Sequence, residues 1–330
     1  MTGAEIGHTA HGRGRSKNQA EGVQMSSWSS KPLRSLLFAP GSDSHKLDRV
    51  GDFGADAVAL DLEDAVAVEE KVGARELVRA AIPSVKAKTQ LVLVRVNAIE
   101  SGLIADDIAA VVRPGLDGLV IPKVQDTQTL HEVDQLVEKA ELRAGLVPGS
   151  IRLVALIETA LGLSRCEEIL FNAPERLEKV VFGSGDFTVD IGVSFTREGN
   201  EILYARSRLI VASRAAGFGP PLDGPYLHIE DDEGLRADTR TSRSLGFTGR
   251  VVVYPRQVST VQDEYSRLTP AEVESSQKIV EAFEAAEARG LAAIRVDDVF
   301  VDYPIYYRAK EQLRQLETYA ALVEGSSETL

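Results

Sequence analysis

The runs Arg152-Leu-Val-Ala-Leu-Ile-Glu158 and Lys179-Val-Val-Phe-Gly-Ser-Gly-Asp186 decide how this chain of 330 residues is read. Each is a short apolar stretch followed by a carboxylate. Runs of this length without polar alternation read as strands covered on their outer face, the pattern of a parallel sheet. Parallel neighbours release their C-terminal residues at one edge, so Glu158 and Asp186 are expected side by side. Two carboxylates, with water and substrate oxygens completing an octahedron, make a usual setting for Mg2+, with Mn2+ as a substitute.

Working outward, six further runs have the same character: Ser35 to Pro40, Ala57 to Asp64, Gln90 to Asn97, Gly118 to Val124, Gly219 to Tyr226, and Gly249 to Pro255. The run from Gly219 fits least well, because Pro220, Pro221 and Pro225 cannot donate to a ladder. Amphipathic stretches separate the runs. Val68 to Ile82 carries Val72, Leu77, Val78 and Ile82 on one stripe, and Asp126 to Leu142 carries Leu130, Val133, Leu136 and Val137. Asp43, Asp126 and Asp231 stand where N-caps are wanted. Eight strand-then-helix units predict an α/β fold, a (β/α)8 TIM barrel over residues 31–290. The alternative is an open doubly wound sheet, since strand order cannot be read from sequence. Pro270 to Arg289 predicts a helix closed by Gly290. Ala292 to Val301 and a last helix from about Ile305 to Leu322 form a C-terminal helical extension over 291–330.

Composition narrows the class. Fifty acids against 37 bases give a net charge of -13, with no basic run in the body of the chain, so nucleic acid is not an expected partner. No apolar run reaches the ~18 residues of a membrane span, so no membrane partner is expected either. The single cysteine, Cys166, excludes an internal disulfide or cysteine-cluster metal site and suits a reducing, cytoplasmic setting. Residues 1–30 are polar and read as a disordered tail rather than an organellar targeting peptide.

In such a barrel chemistry gathers at the strand C-termini. They end in Asp61-Leu-Glu63-Asp64, Arg95-Val-Asn97, Pro122-Lys123-Val124, Glu158, Asp186, Asp223 and Tyr254-Pro255-Arg256. Arg95, closing an apolar strand, needs an anion: either a substrate carboxylate or enolate, or one of the acids after the second strand. Lys123 admits a Schiff base with a carbonyl substrate. Asp61 and Asp223 read equally as caps.

These strand ends resemble those of the citrate lyase β-subunit-like family, which includes malyl-CoA and citramalyl-CoA lyases, within the HpcH/HpaI aldolase superfamily. The resemblance runs from about Arg34 to Leu313. It rests on Arg34-Ser-Leu-Leu-Phe-Ala-Pro-Gly41, Gly54 to Val66, Arg95-Val-Asn97, Ile121-Pro-Lys-Val124, Ala155-Leu-Ile-Glu-Thr-Ala160, Phe182-Gly-Ser-Gly-Asp186, Tyr204 to Arg208 and Asp223-Gly-Pro-Tyr226. It implies Mg2+ on Glu158 and Asp186, metal-bound water on Glu63 and Asp64, and Arg95 against the reacting thioester or keto acid. It further implies that Asp302 transfers a proton from a neighbouring subunit of a homotrimer or hexamer. Arg34, Pro40, Lys123, Asp223, Tyr254 and Pro255 fall in the substrate or CoA region.

The activity so implied is a Mg2+-dependent carbon–carbon lyase that splits a 3-hydroxyacyl-CoA thioester into an acyl-CoA and an α-keto acid, with CoA as part of the substrate. Alternatives are a CoA-ester thioesterase, a metal aldolase on free 2-keto acids, a Schiff-base aldolase using Lys123, and a catalytically silent barrel subunit. Tyr254 where relatives commonly have histidine, Gln125 and Gly185 where many have an acid, and Arg49 where many have lysine are departures from the family pattern.

Overall fold

The structure, a computed structural model, describes residues 28, 32–266 and 268–327. Seven parallel strands form one sheet: β1 (Ser35–Pro40), β2 (Ala57–Asp61), β3 (Leu91–Arg95), β4 (Gly118–Ile121), β5 (Arg152–Ile157), β6 (Leu177–Phe182) and β7 (Arg250–Val252). Their spatial order is β6-β5-β4-β3-β2-β1-β7, which curls the sheet into a TIM-barrel-like α/β fold. This excludes the doubly wound alternative, whose strand order reverses at a switch point.

The expected strand from Gly219 to Tyr226 shrinks to a two-residue bridge. Leu222 pairs with Val181 and Asp223 with Arg250, both parallel, spanning the gap between β6 and β7. Pro221 and Pro225 carry no N–H, and the N–H of Gly224 turns to Asp223 Oδ1 at 2.8 Å, so the pairing does not extend. Buried charge clamps the gap instead. Arg206, on helix Leu203–Ala215, donates to Asp223 at 3.1 Å and to both oxygens of Asp238 at 2.8 and 2.9 Å, and Arg250 donates to Asp238 at 2.7 Å.

Alternate strand residues point inward and fill the barrel: Leu36, Ala57, Ala59, Leu91, Leu93, Val120, Val154, Leu156, Val181, Leu222 and Val251. Trp28 joins them although the sequence reading placed it in the tail. It is 4% exposed, and a Cβ on Gly118 would come within 3.0 Å of its ring, so the indole plugs the N-terminal end of the barrel. The rest of the predicted tail, 1–27 with 29 and 30, lies outside the described residues.

Helices form where the sequence signals place them, but the apolar stripe of the helix after β2 is shifted from the expected one: Val78 and Ile82 are buried, whereas Val72 is 70% and Leu77 37% exposed. Asp43, Asp126 and Asp231 each accept the expected N-cap hydrogen bond. Helix Lys71–Lys86 turns Ala74, Val78, Ala81 and Ile82 inward, and Thr127–Arg143 buries Leu130, Val133 and Val137. The chain divides after Gln262 rather than near residue 290. Helix Pro270–Glu287, opened by a Thr269/Glu272 capping box, groups with the C-terminal unit because its Ile279 and Phe283 pack on Val301, Tyr306 and Ala309. That unit also holds the antiparallel pair β8 (Ile294–Val296) and β9 (Val299–Val301) and helix Tyr303–Ser327.

Candidate active site

The strands stop earlier than the apolar pattern suggests, and the polar residues beyond them form turns. β2 ends at Asp61, whose side chain accepts from the N–H groups of Glu63 at 2.9 Å and Ala65 at 3.1 Å. This folds the Glu63-Asp64 turn back over the barrel mouth. Lys71, at the start of its helix, is buried and donates to the carbonyls of Leu62 at 2.7 Å and Glu63 at 2.6 Å. Asp186 lies in the first turn of helix Ser184–Asp190 rather than on a strand.

A cavity of about 300 Å3 opens at this mouth, walled on one side by Asp61, Asp64 and Arg95, on another by Glu158, Gly183 and Asp186, and by the apolar Phe38, Leu156, Phe182 and Val253. The structure places Arg95 both in an ion pair and on the cavity wall. It is paired, donating through Nε and Nη2 to the two Asp61 oxygens at 2.7 and 2.6 Å, with Glu63 3.0 Å and Asp64 3.7 Å from Nη1. It also faces the cavity, its guanidinium 5.1 Å from the centre of the Phe38 ring. Burial works against its charge, but the Asp61 hydrogen bonds and the charges of Asp61, Glu63 and Glu158 outweigh that and raise its pKa, so the cation is permanent.

Glu158 is 2% exposed. One oxygen accepts from the backbone N–H of Lys123 at 2.8 Å. The other lies against Gly183, where a Cβ would sit 2.5 Å from it, so only glycine fits there. Burial raises the Glu158 pKa well above the usual carboxylate range, and the charges of Asp186 and Glu63 push it the same way. Glu63 is likewise raised, by burial first, against the opposing charge of Arg95 and the hydrogen bond from Lys123. Crowded acids that resist ionisation are what a cation would relieve, and oxygen-only donors suit a hard one. Among the described residues no three His, Cys, Asp or Glu side chains gather into a metal-holding group; the two carboxylates Glu158 and Asp186 line one wall of the cavity and could hold a cation whose shell water and substrate oxygens complete. The residues present fit Mg2+ on those terms.

Lys123 donates through Nζ to Glu63 at 2.9 Å and lies 3.5 Å from Asp64. Burial lowers its pKa, but the Glu63 hydrogen bond and the charges of Glu63 and Asp64 prevail and raise it. A Schiff-base lysine needs the opposite shift, so this geometry counts against that alternative.

Other expected site residues fall elsewhere. Arg34 lies at the N-terminal end of β1, where it donates to Asp56 at 2.7 and 2.9 Å, opposite the strand ends that carry the acids. Asp223 is fully buried in the ion network that clamps the barrel rather than in the cavity. Tyr254 and Pro255 line a second cavity of about 660 Å3, with Pro40, His45, Lys46, Arg49 and Arg256; Phe38 and Pro40 border both cavities. Asp302 belongs to the C-terminal unit, where it accepts from Ile305 N–H at 3.3 Å at the start of the last helix. Sequence reasoning offered an ion pair between Arg95 and one of the strand-two acids without singling out Asp61, which the structure selects, and it missed Lys71 altogether.

The HpcH/HpaI aldolase/citrate lyase pattern matches residues 34–255. Citrate lyase subunit beta of Leuconostoc mesenteroides subsp. cremoris is 34% identical over 281 residues, 85% of this chain and 92% of that one. A (3S)-malyl-CoA thioesterase of Cereibacter sphaeroides is 32% identical over 290 residues, 88% of this chain and 96% of its own. The crystal structure of the CitE protein of Mycobacterium tuberculosis in complex with magnesium, acetoacetate and coenzyme A superposes with a TM-score of 0.71 at 26% identity, covering 87% of this chain and 98% of the other.

Proposed function

The chain belongs to the HpcH/HpaI aldolase/citrate lyase family, and from that premise we propose that it is a Mg2+-dependent carbon–carbon lyase for a 3-hydroxyacyl-CoA thioester such as malyl-CoA or citramalyl-CoA. The products are an acyl-CoA and an α-keto acid. The observation that carries this reading is the arrangement of one cavity: Glu158 and Asp186 on one wall and the permanently charged Arg95 on another. CitE, at 26% identity, has been captured with magnesium and coenzyme A together, which supports the same pairing here.

Glu158 and Asp186 would hold Mg2+, which supplies Lewis-acid polarisation of the hydroxyl and carboxylate that become the keto acid. The hydroxyl gives up its proton to the water held at the mouth and its oxygen becomes the keto carbonyl; as the carbon–carbon bond breaks, its electron pair moves toward the thioester and leaves an enolate oxygen. Arg95 is already fixed by Asp61 and offers a preorganised cation where that charge develops. The acyl α-carbon then takes a proton, for which Asp302 of a neighbouring copy in a homotrimer or hexamer is the donor. Glu63 and Asp64 orient water at the same mouth. The second cavity suits the CoA part: His45, Lys46, Arg49 and Arg256 set basic groups beside the site in a chain of net charge -13, as a phosphate-bearing arm requires.

A thioesterase outcome is the second reading, favoured by the malyl-CoA thioesterase among the relatives. We place the protein in the cytoplasm. With a single cysteine, Cys166, the chain can form no internal disulfide, which suits a reducing compartment.

The test incubates the protein with Mg2+ and pairs of acyl-CoA and keto acid and reads products by mass. Condensation products, abolished by EDTA and restored by Mg2+, are expected. Free CoA alone marks the thioesterase, products formed without CoA mark an aldolase on free keto acids, and no turnover of any pair marks a silent barrel. Arg95→Lys should lower turnover by about 100-fold or more while Mn2+ binding persists, since it loses a bidentate, preorganised donor.

A further inference from the structure

We propose that Lys123 is a positioning residue that ties the two groups of acids into one frame, its backbone aiming Glu158 and its ammonium fixing Glu63. The inference rests on the metal reading above and goes beyond it by assigning a function to one strained residue.

The strain is visible in the backbone. Among the described residues only Lys123 and Asp297 are non-glycine residues with positive φ, at 51° and 53°. Left-handed backbone is unfavourable for a side chain with a Cβ and persists where the surroundings impose it. Along an extended strand successive N–H groups point to opposite sides. At Lys123 the chain breaks that alternation: its N–H donates to Glu158 Oε1 at 2.8 Å, and the next N–H, from Val124, donates to the carbonyl of Leu156 at 3.2 Å. Both donors face the β5 side, one feeding the sheet and the other the carboxylate of Glu158. Because Gly183 closes in on the opposite oxygen of Glu158, the carboxylate is held from two directions.

The same residue reaches back across the mouth. Its Nζ meets Glu63 at 2.9 Å and Asp64 at 3.5 Å, so the turn after β2 and the acid after β5 share one anchor. Glu63 in turn sits 3.0 Å from Arg95. Loss of the ammonium should therefore disturb Arg95 through Glu63, whereas loss of the backbone conformation should disturb the metal through Glu158.

Substitution separates the two roles. Lys123→Gly keeps the left-handed backbone and removes the ammonium. Lys123→Val removes both, since a β-branched residue resists positive φ; Lys123→Ala, milder in its backbone demand, covers the case in which the valine variant fails to fold. Mn2+ dissociation constants by electron paramagnetic resonance on the metal-loaded protein without substrate, and kcat and KM separately, are the readouts. Lys123→Gly should bind Mn2+ within about threefold of wild type and lose at least tenfold in kcat. Lys123→Ala should weaken Mn2+ several-fold, and Lys123→Val at least tenfold.

Unchanged Mn2+ binding in the alanine and valine variants overturns the backbone role, and unchanged kcat in Lys123→Gly overturns the ammonium role. Borohydride trapping of a keto acid on Lys123 overturns both in favour of a nucleophile. A wild-type protein that binds no Mn2+ removes the metal reading and this inference with it, whereas normal wild-type binding with flat variants removes only the role of Lys123.

Discussion

Asp61→Asn removes one charge and leaves the shape, and its consequences can be worked from four hydrogen bonds. The carboxylate now accepts from Arg95 Nε at 2.7 Å and Glu63 N–H at 2.9 Å on one oxygen, and from Arg95 Nη2 at 2.6 Å and Ala65 N–H at 3.1 Å on the other. An asparagine has one oxygen and one NH2, so two of these donors would meet another donor. Leaving one guanidinium N–H and one backbone N–H unmet in a site where Asp61 is 1% exposed costs about 1–3 kcal/mol each. Breaking a buried ion pair in this way totals about 3–5 kcal/mol. Arg95 would retain Glu63 at 3.0 Å and Asp64 at 3.7 Å, both displaced from the Asp61 direction, and the guanidinium would follow them. A displacement of about 1 Å at a preorganised cation lowers turnover by roughly 100-fold. Three measurements apply: steady-state turnover of the hydroxyacyl-CoA identified by the product screen, chemical denaturation, and Mn2+ binding. The expected result is a roughly 100-fold loss in kcat with Mn2+ affinity nearly unchanged, because the hydrogen bonds of Asp61 run to Arg95 and to the N–H groups of Glu63 and Ala65 rather than to Glu158 or Asp186. A variant whose kcat stays within threefold of wild type would show that Asp61 does not aim Arg95.

Three further outcomes follow from other parts of the structure. Asp238 has its carboxyl pKa lowered from 3.8 to about 2; burial opposes the shift, but Arg250 and Arg206 outweigh it. A depressed folded pKa means stability is fully present above the unfolded value near 4 and is lost as pH falls toward 2. The loss is about 2 kcal/mol, visible in denaturant midpoints from pH 5 to 2 and absent from that window in Asp238→Asn. Trp28→Ala empties the N-terminal plug and should destabilise the protein by about 3–5 kcal/mol; equal denaturation midpoints for variant and wild type would remove Trp28 from the core. Arg49→Glu, in the second cavity, should raise KM for the CoA ester about tenfold or more at low salt with kcat little changed. A KM that ignores both the charge reversal and ionic strength would refute a phosphate contact there.

The sequence by itself determined the parallel α/β class and the placing of Glu158 and Asp186 just past strand ends, because both are local; strand order, which only the tertiary structure supplies, decided for a barrel. An apolar run followed by a carboxylate, repeated along the chain, specifies strands that open their ends to one face whatever their order. Glu158 and Asp186 were therefore legible in the order of residues alone, and so were the caps Asp43, Asp126 and Asp231, each set by contacts three residues away. What no local pattern carries is which residues meet across strands. Asp61 and Arg95 are register partners on β2 and β3, so the acid that holds the arginine was decided by strand alignment, while Asp223, an equally plausible strand-end acid, was drawn into the closure clamp by Arg206. Trp28 entered the core because an open barrel end required filling. Lys123 became left-handed because two acceptors on one side of its strand, Glu158 and the carbonyl of Leu156, required two consecutive donors, a demand that exists only once the sheet has folded.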